Sequence, residues 1–192
     1  MFAAAVAALT QGVDALADID PAGLGIAEQL RLLDVLETTR RRLTAVSHTV
    51  ALAAAKSDAP TVIAKAIADA IRVTPAEVRR RLRDAEQLAP RTTLTGEPLP
   101  TVMPATAAAW HAGDLDGEHV RVMQKFLRDL PADIAPDVVA DSESFLAFHA
   151  QQLRPDQLDT LAVQLAMRVN PDGRFSDEDR ARQRGFTWTR GQ

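Results

Sequence analysis

The sequence predicts an all-α protein, a multi-helix bundle with one long N-terminal helix and a helix-turn-helix-like hairpin. Two observations carry this. Apolar residues recur at helical spacings of three, four and seven along the 192 residues, and no useful length alternates in the manner of a strand. Much of the 46% apolar content is alanine, one of the strongest helix formers. With aromatics at 4% and no tyrosine, the core must come from Ala, Leu, Val and Ile on closely packed helices. A chain of this length can bury most of its unfolded surface.

The elements follow in order. A first helix is expected over residues 3–17, closed by Asp18-Ile19-Asp20-Pro21 and the glycines Gly23 and Gly25. The next, 26–56, carries Leu30, Leu33, Leu36, Leu43, Val46 and Val50 as one apolar stripe. Arg40, Arg41 and Arg42 fan over about 200° of its circumference, so they read as a solvated face rather than as one contact surface. Ser57-Asp58-Ala59-Pro60 closes that helix and caps a short one over 61–71. A tight turn leads to a further helix at 75–88.

Pro90, Gly96, Pro98, Pro100 and Pro104 mark a proline-rich connection, 91–104, between N-terminal helices (1–90) and C-terminal helices of the same domain (105–192). Helices are expected at 105–112, 118–130, 136–153 and 156–169. Then come the turn Asn170-Pro171-Asp172-Gly173, a charged helix capped by Ser176, and the start of a strand over 185–192.

Composition excludes several classes. With no cysteine there is no disulfide scaffold, thiolate zinc site or cysteine nucleophile. Residues 1–9 are apolar but lack the basic start of a secretory signal, and no apolar run reaches the ~20 residues that span a bilayer. A reducing, cytoplasmic setting without membrane contact is expected. The net charge of −4 is uneven. Residues 72–91 hold six arginines against three acids, whereas 129–159 hold seven acids and one arginine. The first region suits a polyanion and the second would repel one.

The stretch 60–88 has helix-turn-helix character. Such a pair needs a small residue at the crossing, an apolar residue in the turn and an apolar inner face on the second helix. Ile67, Ala68, Ile71, Val73 and Val78 occupy those places, and Val78, Leu82 and Ala85 continue the inner face. Thr74 suits the N-cap and Pro75 the first helical position. Arg79, Arg80, Arg83 and Gln87 spread over the other faces and, with Arg72, form the candidate DNA-binding set. Two positions depart from the pattern. Arg72 stands where the turn usually takes glycine, and Arg81 stands where a late apolar residue is usual, with Leu82 one step on.

No catalytic residue, metal site, cofactor or evident small-molecule substrate is expected. His48, His111, His119 and His149 form no zinc-type spacing, and neither a phosphate loop nor a Gly-x-Ser-x-Gly elbow occurs. The histidines, Trp110 and Trp188 read as packing residues, although Trp188 near the chain end could mark an outside contact.

Three segments in order resemble the 13E12-repeat family, the bacterial domain of unknown function 222. They are Val73-Thr74-Pro75-Ala76-Glu77-Val78-Arg79-Arg80-Arg81-Leu82; then Ala107-Ala108-Ala109-Trp110-His111-Ala112-Gly113-Asp114-Leu115, with Glu118-His119-Val120-Arg121-Val122 and Leu130-Pro131; then Asn170-Pro171-Asp172-Gly173 with Arg180-Ala181-Arg182-Gln183-Arg184-Gly185-Phe186. The resemblance implies a helical domain on the N-terminal side of an HNH endonuclease domain, whose paired histidines and asparagine would lie further along. The chain is therefore expected to be a truncated, non-enzymatic module that helps to position a nuclease on DNA. Its candidate partners are duplex DNA, a second copy and the missing C-terminal nuclease region. The alternative is a structural or self-association module, or a degenerate partial copy without function.

Overall fold

The computed structural model describes residues 1–56, 60–92, 95 and 97–171. Among them, eight α-helices follow in chain order: α1 (Phe2–Ala17), α2 (Ile26–Ala55), α3 (Pro60–Ile71), α4 (Pro75–Leu88), α5 (Pro104–Ala112), α6 (Gly117–Asp129), α7 (Pro136–Ala150) and α8 (Pro155–Val169). The all-α expectation holds. Five of these helices open on proline, whose fixed φ suits the first turn and whose missing N–H is not needed there.

Within the proline-rich connection a short hairpin forms among the described residues. Arg91–Thr92 (β1) and Pro98–Leu99 (β2) pair antiparallel, Arg91 opposite Leu99. Helix α7 ends at Ala150, three residues before the expected boundary. Arg154, before Pro155, is extended at ψ 158°, so no helix continues into α8. The cap at 57–59, the turn from Asp172 onward, the Ser176 helix, the 185–192 strand start and Trp188 lie outside the described residues.

The chain divides into two compact units, Met1–Thr38 and Thr39–Gln192, with the boundary inside α2. In the first unit α1 buries no residue. Asp20 accepts a hydrogen bond from Ala22 N–H (3.0 Å), and the Gln29 amide donates to the carbonyl of Pro21 (2.8 Å), which fixes the turn between the helices.

The second unit holds the core. Trp110, Leu115, Met123, Phe126, Leu146 and Leu158 are packed together from α5 to α8, and Ala45 of α2 and Leu88 of α4 join the same cluster. In α2 the buried residues are Ala45, His48 and Leu52. The more apolar stripe read from the sequence lies outside, with Leu30, Leu33, Leu36, Leu43, Val46 and Val50 all exposed. Ala45, His48 and Leu52 take the inner face, and the His48 ring lies 5.5 Å from the Trp110 ring.

Two buried polar devices set the helix starts. Glu143 of α7 is buried, accepts from Thr106 N–H (2.7 Å) and Thr106 Oγ1 (2.6 Å), and so caps α5 from 37 residues away. Asp116 caps α6, accepting from Glu118 N–H (2.8 Å) and His119 N–H (3.0 Å). The His119 ring, itself buried, lies between Asp116 Oδ1 and the carbonyl of Leu153, each at 2.9 Å.

Candidate nucleic-acid interface

Helices α3 and α4 pack through Ala64, Ala68 and Val78, flanked by Ile67, Val73 and Leu82. The small residues at the crossing and the apolar turn residue Val73 sit as the sequence requires. Ile71 does not: it is exposed at the C-terminal end of α3.

The turn explains Arg72. Val73 N–H donates to the carbonyl of Ala68 (3.1 Å), five residues back, and Arg72 has φ 57°. That is a Schellman termination with Arg72 at the left-handed position. Helix α5 ends in the same way, Asp114 N–H donating to Ala109 (3.0 Å) around Gly113 at φ 89°. The two turns are the same device, one built on glycine and one on arginine. Arg72 therefore carries backbone strain of about 1–2 kcal/mol that glycine would not. On the far side of the turn, Thr74 Oγ1 accepts from Glu77 N–H (3.2 Å) and Pro75 opens α4.

The arginines of α4 separate into two groups. Arg80 donates to Glu77 Oε2 through Nε (2.9 Å) and to Oε1 through Nη2 (2.7 Å), and reaches Asp84 through Nη1 (3.3 Å). Arg81 Nε donates to Glu77 Oε1 (2.8 Å), and Asp84 also accepts from the Gln124 amide of α6 (3.2 Å). Hydrogen bonds from Arg80 and then Arg81 pull the Glu77 carboxyl down to about 2. These two guanidiniums are thus neutralised within the half-buried flank of α4.

Arg79, Arg83 and Gln87 are exposed and make no hydrogen bond or ion pair among the described residues. They lie within about 80° of helical arc, so they share one face. Glu86 is exposed on the same side, and Arg72 is exposed at the adjoining turn. Of the five expected residues the structure leaves Arg72, Arg79, Arg83 and Gln87 free for a ligand and commits Arg80 elsewhere. The signal was present in the sequence: Glu77–Arg80, Glu77–Arg81 and Arg80–Asp84 have the i,i+3 and i,i+4 spacings at which helical side chains meet.

The run of arginines in α2 is also divided. Arg41 is half-buried and its Nη1 donates to the carbonyl of Asp114 (3.4 Å), while Arg40 and Arg42 are exposed. Behind α4, a cavity of about 100 Å³ is lined by Ala45, His48, Leu52, Ala85, Leu88 and Trp110, among others. The buried Nδ1 of His48 has no hydrogen-bond partner among the described residues. Burial and then the charge of Arg81 lower the pKa of His48, which keeps this ring neutral. Among the described residues there is no cluster of three metal-ligating side chains, and no helix is long and apolar enough to cross a membrane.

These features define an all-helical domain whose capped helical hairpin carries an exposed guanidinium face. The chain belongs to the family of the domain of unknown function DUF222, whose model matches residues 30–192. It is 40% identical over 164 residues to the uncharacterized protein Rv1128c of Mycobacterium tuberculosis, covering 83% of this chain and 36% of that protein. It is 38% identical over 188 residues to the uncharacterized protein Mb1179c of Mycobacterium bovis, covering 96% and 41% respectively. The chain thus spans about two fifths of the length of the curated relatives it matches. No solved structure matches it.

Proposed function

We propose that this chain is a non-catalytic, cytoplasmic DNA-contacting domain that helps to hold a nuclease on duplex DNA, using the exposed face of α4 and the turn before it. The observation that carries the reading is the separation of the arginines. Arg79, Arg83 and Gln87 face solvent on one side of capped α4, Arg72 is exposed in the turn before it, and none of the three arginines has an acid partner among the described residues. Guanidiniums placed in this way serve as phosphate contacts, and a glutamine one turn on can reach a base edge. The curated relatives, which are much longer than this chain, leave room for a catalytic domain of the HNH kind that the family resemblance implies.

Few contacts and a net charge of −4 place the affinity at the weak end, with a Kd of roughly 10⁻⁴ to 10⁻⁶ M for nonspecific duplex. Titration of a labelled duplex at low salt tests this. Absence of binding near ~100 µM protein, the weak end of that range, overturns the reading.

A further inference from the structure

Among the described residues the N-terminal helix buries no side chain. Every residue from Met1 to Gly23 is solvent-exposed. A 16-residue helix with no tertiary burial is marginal in water, since most helical stability comes from packing an apolar face. Yet α1 has such a face. Phe2, Val6, Leu9, Val13 and Leu16 follow each other at steps of four, three, four and three, and they are 38–84% exposed. Those steps are the a/d repeat of a coiled coil.

We infer that α1 is a self-association element that pairs in parallel with α1 of a second copy of this chain. Three features point to a like partner. In the heptad register Val6 and Val13 take position a, while Phe2, Leu9 and Leu16 take position d. Branched Val at a with Leu at d is the combination that favours two parallel strands. The e and g positions that flank the seam are Ala3, Ala5, Thr10, Gly12 and Ala17, so no like charges oppose each other when two identical helices meet. A Cβ at Gly12 would meet nothing within 4 Å, and alanine fills most of the remaining surface, so a second helix can approach closely.

Five seam residues per copy make a small interface, so the pairing is weak. This inference goes beyond the DNA reading and does not depend on it.

Sedimentation equilibrium of the full chain from about 10 µM to 1 mM tests the pairing. The expected result is a mass rising from 20.8 kDa toward twice that value. Leu9→Asp should keep the chain monomeric throughout, with an unchanged urea midpoint for the rest of the domain, because Leu9 is exposed and lies outside both core clusters. The chain has no cysteine, so a single introduced thiol reports geometry. Leu16→Cys should form a disulfide-linked dimer under mild oxidation, and Gln11→Cys, on the outer face, should not. A strict monomer at the highest concentration overturns the inference, as does a Leu9→Asp chain that still dimerises. So does a Leu16→Cys chain that dimerises without cross-linking, since antiparallel helices would hold the two sites about 20 Å apart. Flotation of monomeric wild type, but not Leu9→Asp, with phosphatidylcholine–phosphatidylglycerol vesicles would assign the seam to a lipid surface instead.

Discussion

Replacing Arg79 and Arg83 with alanine should flatten the salt dependence of duplex binding, whereas replacing Arg80 should not. On duplex DNA each neutralised phosphate contributes about 0.9 to the slope of log K against log salt. Arg72, Arg79 and Arg83 have no acid partner among the described residues, which gives a slope near −2.7. Between about 50 and 200 mM salt the wild-type chain then loses roughly 40-fold in affinity. The double variant keeps one contact, with a slope near −0.9 and a loss of roughly three- to fourfold over the same interval. Arg80 is held by Glu77 at 2.7 Å and by Asp84 at 3.3 Å, so Arg80→Ala leaves the slope unchanged. Its stability cost is under about 1 kcal/mol, as expected for a partly exposed pair. Fluorescence anisotropy with a labelled duplex at a series of salt concentrations reads all three proteins. A double variant as steep as wild type, or an Arg80→Ala chain as flat as the double variant, refutes the assignment of phosphate contacts to the free face of α4.

The remaining expectations concern stability and protonation. Arg72→Gly should stabilise the domain by about 0.5–1 kcal/mol, the relieved left-handed strain less the extra unfolded-state entropy of glycine; Gly113→Ala, at the equivalent turn of α5, should destabilise it by about 1–2 kcal/mol, both read from urea midpoints. Glu143→Ala should cost about 3 kcal/mol because it strands the N–H and hydroxyl of Thr106, and Glu143→Gln, which keeps an acceptor oxygen, should cost less than half of that; a loss below ~1 kcal/mol for Glu143→Ala would show that water reaches the cap. Glu77 is pulled down to about 2, so its ion pairs contribute stability in full above ~4.5, and that contribution is lost as the pH falls toward 2. Urea melts across that window should show Glu77→Gln losing less stability on acidification than wild type.

The two buried histidines should titrate in opposite directions, followed by NMR of their ring protons. Burial, then the charge of Arg81, moves His48 below 6.5, so the fold binds this proton less well than the unfolded chain and loses stability as the pH falls below ~6.5. Burial disfavours His119 as a cation, but Asp116 and the Leu153 carbonyl outweigh it and raise its pKa. Its stabilising contribution is full below ~6.5 and is lost as the pH rises through the folded value. Ring signals of His48 and His119 that titrate together near 6.5 would contradict both environments.

The helical class, most helix starts and the capped α3–α4 pair can be read from the residues in order, because these rest on local causes. Helical spacing sets the class, proline at the first turn sets five starts, and Thr74 and Asp116 cap through neighbours three residues away or fewer. The pairing of Arg80 and Arg81 with Glu77 was legible too, being an i,i+3 and i,i+4 matter. Tertiary structure alone decided which face of α2 turns inward. Hydrophobicity favours the leucine and valine stripe, but Ala45, His48 and Leu52 face inward, with the His48 ring 5.5 Å from that of Trp110. It decided that Glu143 caps a helix 37 residues away, which no local pattern records. It also decided that Arg72 stands in a left-handed turn. Glycine is the usual residue there, but the hydrogen bond from Val73 to Ala68 and the packing of Val73 hold the turn closed around arginine. Local rules act through neighbours along the chain; these three outcomes depend on which distant surfaces compete for the same space.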